Sequence, residues 1–529
     1  MANVFLQPCD DGVMRAAPEC APCTKSQGRW VLAATIIGSS MAFIDGTVVN
    51  VALPVLQREF DTTIIQLQWV VESYALFLAA LILVGGVMGD HFGRRRVFAA
   101  GAAVFATASL WCGAAPDVGQ LIAARAVQGV GAAMLVPGSL AMISHTFNQA
   151  QRGRAIGTWS GLTALAMAVG PVLGGWLVDN VSWRWIFFIN IPLAAAVLAI
   201  LYARVPESRA PGRSQRLDWA GVLLVTLGLG AVVLGLIEAG HKGFGDPLVR
   251  AALAVGGLAL AGFIAAEWRG TAPMMPLALF RSPGFSGANV ATLLLYAALG
   301  GGLFFFPFNL IQVQGYSATA AGAAFLPFIL IMALLSRWSG GLVGRHGGRL
   351  PLVVGQTIAA AGFALFALPG VGGSYWTTFF PAMVVLGLGM AISVAPLTTV
   401  VMGAVDSARA GVASGINNAV SRVAALLAVA VMGIAVAASF NGRLDGALTG
   451  IDLAPEARQA LDAERIKLAG AEPPPGLGAE VTAALDRALD DAFVGSFRMI
   501  MLVSAGLALA GAASAGLTIG RREARPAAP

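Results

Sequence analysis

Fourteen runs of apolar residues, each about as long as a membrane is thick, dominate this sequence. A helix that rises 1.5 Å per residue needs about 20 apolar residues to cross the hydrocarbon layer. The runs are residues 30–53, 68–89, 96–115, 119–144, 155–178, 184–204, 217–238, 248–268, 286–311, 319–342, 350–370, 374–402, 410–438 and 493–519. Only 11% of the residues are charged, which excludes a soluble globular domain and a disordered chain. The sequence therefore predicts an all-α polytopic membrane protein.

Basic residues concentrate in alternate links between these runs. The side that holds both termini carries twenty Lys and Arg residues, whereas the short links on the other side carry four. Because Lys and Arg accumulate in short cytoplasmic loops, we expect both termini in the cytoplasm. The net charge of +6 is spread over short links and forms no contiguous basic patch, so we expect no nucleic-acid partner.

A repeated glycine, histidine and arginine pattern divides the chain into two halves. Residues 86–96 read GVMGDHFGRRR and residues 341–349 read GLVGRHGGR. Duplicated halves are common in secondary transporters, so we predict two six-helix halves with two helices inserted between them. The predicted units are a cytoplasmic N-terminal tail (1–29), the N-terminal half (30–204), the inserted helices with flanking cytoplasmic loops (205–285), the C-terminal half (286–519) and a cytoplasmic tail (520–529).

Two polar segments lie outside the predicted spans. Residues 441–492 are rich in acids and are expected to form an extracytoplasmic loop with two short amphipathic helices, 455–469 and 478–491, separated by prolines. We expect a solvated spacer, with a lid or a partner surface as the alternative. In the N-terminal tail, Cys20 and Cys23 have the spacing of redox or zinc sites, but a single pair is a weak signal.

The sequence lacks common motifs of nucleotide-binding and metal-dependent enzymes. It contains no GxxxxGK[ST] phosphate loop and no HExxH metal motif. The four histidines do not have the spacing of a metal site or a hydrolytic dyad. We therefore expect no enzyme, no cofactor and no metal site.

Three charged residues fall within predicted helices at similar depth. Asp45, Glu72 and Arg125 lie roughly 12, 6 and 9 Å below the outer ends of their helices at 1.5 Å per residue. Charges inside a membrane are costly and usually functional. The depths predict that Asp45 pairs with Arg125, with Glu72 nearby. The pair is either a structural tie between helices or a carboxylate whose protonation depends on pairing, burial and substrate.

Several motifs resemble one branch of a known transporter family. Residues 43–54 (FIDGTVVNVALP) resemble the first-helix motif of the fourteen-helix drug:proton antiporters of the major facilitator superfamily, the EmrB/QacA type. Residues 86–96 are similar to the superfamily's motif A, residues 121–131 (LIAARAVQGVG) to motif B, and residues 161–175 to motif C of its antiporters. Other segments that resemble this branch are 183–192, 276–281 and 312–317. The resemblance covers about residues 30–520.

The resemblance implies a major facilitator fold and a proton-coupled antiporter of the bacterial inner membrane. It implies export of hydrophobic, mainly cationic drugs by alternating access, with Asp45 as the proton site, Arg125 tuning it and Glu72 as a second acid. The residues of the motif A gate are Gly86, Asp90, Gly93, Arg94 and Arg95. Those of motif C, which would pack and bend its helix, are Gly161, Gly170, Pro171, Gly174 and Gly175. Candidates for the substrate cavity are Met134, Met167, Phe304, Phe308 and Gln312.

Two other functions stay open at this stage. The chain could export one metabolite, antibiotic or siderophore, or it could be a membrane receptor that does not transport. We expect its partners to be a small-molecule substrate, protons and the lipid bilayer, and we expect a monomer. The sequence does not decide whether a periplasmic adaptor and an outer-membrane channel join it.

Overall fold

The chain is built from long helices. The computed structural model describes residues 25–147, 149–208, 218–270, 275–405 and 410–520, and within these ranges it contains no strand. Fourteen described helices are long and apolar enough to cross a membrane. The predicted all-α polytopic fold is confirmed, whereas the side on which the termini lie stays a prediction.

Most of the fourteen spanning helices follow one another with short connections. The N-terminal half contains α1 (Lys25–Glu59), α2 (Ile64–Phe92), α3 (Arg94–Ala114), α4 (Val118–Thr146), α5 (Gln149–Asn180) and α6 (Asn190–Arg204, after a turn at Trp185–Phe188). The inserted helices are α7 (Trp219–Lys242) and α8 (Pro247–Arg269). The C-terminal half contains α9 (Pro283–Phe304, continued by Phe306–Phe308 and a π-helical turn, Asn309–Val313), α10 (Ala318–Ala323 and Leu326–Gly340), α11 (Arg349–Phe366), α12 (Phe379–Gly403), α13 (Ala410–Leu448) and α14 (Ala479–Thr518).

Polar residues at the helix starts explain the tight connections. Asp117 accepts from the Gln120 backbone N–H at 2.9 Å, and Asp218 caps α7 in the same way. Asp246 and Ser282 cap α8 and α9, and each is followed by a proline at the first helical position. Such residues satisfy backbone donors that a helix start leaves free. Helices can therefore end and restart within a few residues.

The inserted helices pack on the outside of both halves. Helix α7 contacts α8, α2 and α13, and Leu76, Val233 and Leu426 belong to one apolar cluster that joins α2, α7 and α13. Helix α8 packs mainly on α7 and exposes large apolar side chains such as Leu258 and Trp268. This arrangement suits a helix that faces lipid.

The helices at the long loop extend beyond their apolar runs. Helix α13 continues to Leu448 and α14 begins at Ala479, so residues 478–491, expected to form a separate amphipathic helix, are mostly the first turns of α14. The connection shortens to 449–478 and contains a helix, Pro455–Glu464, and a 3₁₀ segment, Arg465–Gly470. Hydropathy marks only the apolar part of a helix that continues into water, which explains the difference.

Candidate functional site

A buried ion pair joins α1 to α4 inside the N-terminal half. Asp45 is 0% and Arg125 is 1% exposed, and Arg125 Nη1 donates to Asp45 Oδ2. Arg125 Nε donates to the Val70 carbonyl on α2 at 3.1 Å, and the ring of Tyr74 lies 4.2 Å from the guanidinium carbon. The pairing expected from helix depth is present, and a carbonyl and an aromatic ring hold the arginine in place.

Gln128 on α4 completes the surroundings of the carboxylate. Its Nε2 donates to Asp45 Oδ1 at 2.8 Å and to Ser109 Oγ at 2.8 Å, and its Oε1 accepts from Arg125 Nη1 at 2.6 Å. Both oxygens of Asp45 therefore accept hydrogen bonds, which a buried carboxylate needs. Because the opposite charges face each other, the pair is tolerated at a depth where one charge alone would be costly.

Motif C brings α5 against α1 at the residues that follow Asp45. A Cβ atom on Gly170 would lie 2.2 Å from Thr47 Oγ1, and one on Gly174 would lie 2.1 Å from Val48 Cγ2. Both positions therefore need glycine. Gly46, next to Asp45, is exposed, and a Cβ there would meet no atom within 4 Å, so open space begins beside the ion pair.

The same motif also closes one end of the bundle. A Cβ on Gly175 would lie 2.2 Å from the carbonyl oxygen of Ala318 on α10, and one on Gly322 would lie 2.1 Å from the carbonyl oxygen of Pro171. Asp179 at the end of α5 accepts from the backbone N–H groups of Ala318 and Thr319 at 3.1 and 2.8 Å. The two halves are in backbone contact at this end, here named the closed end.

Part of the long loop lies between the halves at the closed end. This strap, Arg465–Gly470, places the carbonyl of Lys467 2.9 Å from Gln57 Nε2 at the end of α1. Gln57 Oε1 accepts from Gln312 Nε2 at 2.8 Å, and Lys467 Nζ lies 2.6 Å from Asp61 Oδ1. The strap and the end of α9 are thus tied to the N-terminal half at Gln57 and Asp61. The expectation of a solvated spacer is wrong for this segment.

The charge of Lys467 contributes to this tie. Partial burial disfavours its charged form, but hydrogen bonds to Asp61 and Glu464 outweigh burial and raise the pKa of Lys467 above its usual 10.5. The stabilisation is therefore present below about pH 10.5 and is lost as the pH rises through the higher pKa of the closed form.

We expect Lys467→Met to loosen the closed end. The exposed pair is worth about 0.5–1 kcal/mol, so the separated population should rise about two- to fivefold. Distances between spin labels at Val181→Cys and Val371→Cys, on opposite halves, measure this. Lys242→Met is the matched control, because Lys242 pairs with Glu238 on its own helix. Equal distance distributions for the parent and Lys467→Met would show that the Lys467 ion pair does not help to hold the closed end together.

At the opposite end, here named the open end, motif A makes contacts within its own half. Arg94 Nη2 donates to Asp90 Oδ1 at 2.8 Å, and the backbone N–H of Arg95 donates to Glu207 Oε1 at 3.0 Å. Gly93 has a φ of 110°, in the region that favours glycine. No hydrogen bond or ion pair joins Asp90 to the described residues of α13. The gating role of motif A stays a prediction.

Two glycines at the open end face open space. A Cβ on Gly157 of α5 or on Gly340 of α10 would meet no atom within 4 Å. The same two helices are in backbone contact at their other ends. The structure is therefore open at the end that carries Asp90 and closed at the end that carries Gln57.

Glu72 lies apart from the Asp45–Arg125 pair. It is 1% exposed and its Oε2 has no hydrogen-bond partner in the described part of the chain. It follows Gln68 by one turn, and Gln68 Nε2 donates to the Val429 carbonyl on α13 at 3.0 Å. Because residues four apart share a helix face, Glu72 lies on the side of α2 that faces the C-terminal half.

The candidate cavity residues have different surroundings. Met134 packs on α3, since a Cβ on Gly101 would lie 2.8 Å from its Cβ. Met167 is exposed, Phe304 and Phe308 are buried in the core with ring centroids 5.8 Å apart, and Gln312 contacts Gln57. A role of these residues in substrate binding stays a prediction.

Sequence reasoning missed several partners of the site. Tyr74, Glu207 and Lys467 carried no motif signal, and each contacts its partner only through the fold. Within the described ranges, no group of three or more His, Cys, Asp or Glu residues has the geometry of a metal site. The Cys20 and Cys23 pair lies outside the described residues.

Comparison with known proteins agrees with this architecture. The family model of the Major Facilitator Superfamily matches residues 35–429. The chain belongs to the Major Facilitator Superfamily. Its fold is similar to a bacterial homologue of the human lysosomal transporter Spinster in an inward-facing, unoccupied conformation, with a TM-score of 0.62, 17% identity, and coverage of 93% of this chain and 98% of that one.

Relatives within the superfamily are resistance and export proteins. The chain is 33% identical to the Tetracenomycin C resistance and export protein of Streptomyces glaucescens, over 96% of this chain and 94% of that protein. It is 36% identical to Multidrug resistance protein Stp of Mycobacterium tuberculosis (strain CDC 1551 / Oshkosh), over 78% of this chain and 77% of that protein. The predicted family is confirmed. With its fourteen spanning helices, the chain is a multi-pass protein of the cytoplasmic membrane in a family of transporters.

Proposed function

We propose that this superfamily member is a proton-coupled antiporter that exports hydrophobic drugs by alternating access. The observation that carries the proposal is the fully buried Asp45–Arg125 pair beside open space, in a bundle that is open at one end only. Names of relatives as multidrug resistance and export proteins support drugs as the substrates. The chain would act as a monomer.

The transport cycle follows from the two ends of the bundle. With the predicted orientation, the open end faces the cytoplasm, so this conformation would release a proton from Asp45 and accept substrate. In the opposite conformation Asp45 would take up a proton and substrate would leave. One charge moving through 100 mV supplies about 2.3 kcal/mol, which sustains roughly a fiftyfold gradient at about 1.4 kcal/mol per decade.

Glu72 supports a preference for cationic substrates. Among the residues that the structure describes, its buried carboxylate has no hydrogen-bond partner at Oε2, and it lies on the face of α2 directed toward the other half. A buried acid without a partner is costly, and the positive group of a bound substrate would offset that cost. We propose that Glu72 contacts this group while Asp45 carries the proton.

Export of a single compound is the second candidate. It is favoured by relatives whose names give one compound each, such as tetracenomycin C and puromycin.

A dye panel tests the proposed function and separates it from the single-compound alternative. Energised cells that express the chain should accumulate less of a neutral, a monovalent and a divalent dye than cells without it, and a protonophore should remove the difference. Unchanged accumulation of all three, with normal amounts of protein in the membrane, would contradict multidrug export. Export of one compound among many would favour the dedicated exporter.

A further inference from the structure

The segment of residues 183–192 has no role in the transport cycle described so far. It supplies Phe187 from the turn before α6 and Asn190 from the first residue of α6, and both side chains are 0% exposed. The Phe187 ring lies 6.0 Å from the guanidinium carbon of Arg125. This segment therefore forms a buried wall beside the ion pair.

A chain of hydrogen bonds leads from this wall to the carboxylate. Asn190 Nδ2 donates to Ser109 Oγ on α3 at 3.3 Å. Ser109 Oγ also accepts from Gln128 Nε2 at 2.8 Å, and the same nitrogen donates to Asp45 Oδ1 at 2.8 Å. Asn190, Ser109, Gln128 and Asp45 are all completely buried, so water does not replace any of these contacts.

We propose that Asn190 is a positioning residue for the proton site, acting on Asp45 through Ser109 and Gln128. The inference rests on the proposed role of Asp45. A glutamine side chain can turn by 180° and exchange its oxygen and nitrogen. If Gln128 turned, its oxygen would face the Asp45 oxygen and its NH₂ group would face Arg125, so like groups would meet at both contacts.

Ser109 prevents this turn because it holds the second N–H of Gln128. Asn190 donates to the same hydroxyl oxygen at 3.3 Å and thereby holds Ser109 within hydrogen-bonding distance of Gln128. Without Asn190, Ser109 loses this hydrogen bond, and the hydrogen bond from Gln128 to Ser109 weakens. Asn190 therefore maintains a hydrogen bond that stabilises the ionised carboxylate more than the protonated one.

The other titratable and charged groups around Asp45 do not contact Asn190. Arg125 on α4 pairs with Asp45, Tyr74 on α2 covers the arginine, and Cys112 on α3 donates to Gln128 Oε1 at 3.7 Å. The charge of Arg422 on α13, in the other half, acts on Tyr74. Helix α5 contacts α1 through glycines. Helix α6 contributes the Asn190 amide. Replacing Asn190 therefore affects the hydrogen bonds of Asp45 only through Ser109 and Gln128.

Infrared difference spectroscopy tests the proposal without a transported substrate. The purified transporter in lipid is titrated from pH 4 to 10, and the protonated-carboxyl band that disappears in Asp45→Asn is assigned to Asp45. In Asn190→Leu the midpoint of this band should move to higher pH by about half a unit, because one hydrogen bond to the ionised form weakens. Ser109→Ala should shift it in the same direction, and serves if Asn190→Leu fails to fold.

Asn289→Leu is the matched control. Asn289 is a buried amide in the C-terminal half, hydrogen-bonded to Asn417 at 3.1 Å. Its loss should lower stability to a similar extent and leave the Asp45 midpoint in place. An unchanged midpoint in both Asn190→Leu and Ser109→Ala overturns the positioning role while the proton site stands. Absence of any titrating Asp45 band in the parent overturns the proton site and the positioning role together.

Discussion

Asp45→Asn is expected to abolish uphill export of every substrate while the protein still folds and inserts. The amide cannot exchange a proton, so the coupling step is lost completely, with efflux falling to the level of cells without the transporter. A neutral amide is easier to bury than an unpaired acid. Arg125 keeps its contacts to Val70 and Gln128 but loses its counter-charge, so we expect a stability loss of a few kcal/mol.

Efflux of the three dyes from energised cells measures this effect, with membrane amounts compared by blotting. Glu238→Gln on α7 is the matched control, since this acid pairs with Lys242 at the surface and should leave export unchanged. Export by Asp45→Asn at the parent rate would show that the proton site lies elsewhere.

Gly175→Ala is expected to stop transport by holding the closed end apart. The added Cβ would lie 2.2 Å from the carbonyl oxygen of Ala318, and a backbone atom cannot rotate away as a side chain can. Overpacking of this kind costs about 1–3 kcal/mol, which shifts the balance between the two conformations by about five- to 150-fold. Efflux and the spin-label distance between Val181→Cys and Val371→Cys measure the loss and its cause.

The control for this change is Gly257→Ala on α8, where an added Cβ meets no atom within 4 Å. It should leave both readouts at their parent values. If Gly175→Ala kept the short distance and normal efflux, the contact between α5 and α10 would not be part of the gate.

Single-helix features of the fold could be predicted from sequence. The fourteen spans follow from the length of apolar runs, because a helix pairs its backbone groups within one segment and can cross a bilayer with about 20 apolar residues. The Asp45–Arg125 contact followed from helix depth alone, since both residues lie near the same level and carry opposite charge. Motif C also held enough information to predict close packing, because glycine is the residue that permits it.

Contacts between distant segments could not be predicted in this way. Lys467 lies 406 residues from Asp61, and the acidic loop around Lys467 had no pattern that indicated a position between the halves. Phenylalanines such as Phe304 and Phe308 occur both in cavity walls and in buried cores, so only the fold shows which of the two positions they take. Hydropathy describes one helix at a time, and the gates of this protein are formed by pairs of helices.

Proton movement in proteoliposomes is the most direct test of the central claim. The purified chain is reconstituted with a pH-sensitive dye, and a monovalent cationic drug is added to one side. We predict an immediate proton flux opposite to the drug, which is present in the parent and in Glu238→Gln and absent in Asp45→Asn. Drug transport by the parent without any proton flux, or a flux that persists in Asp45→Asn, would contradict proton coupling through Asp45.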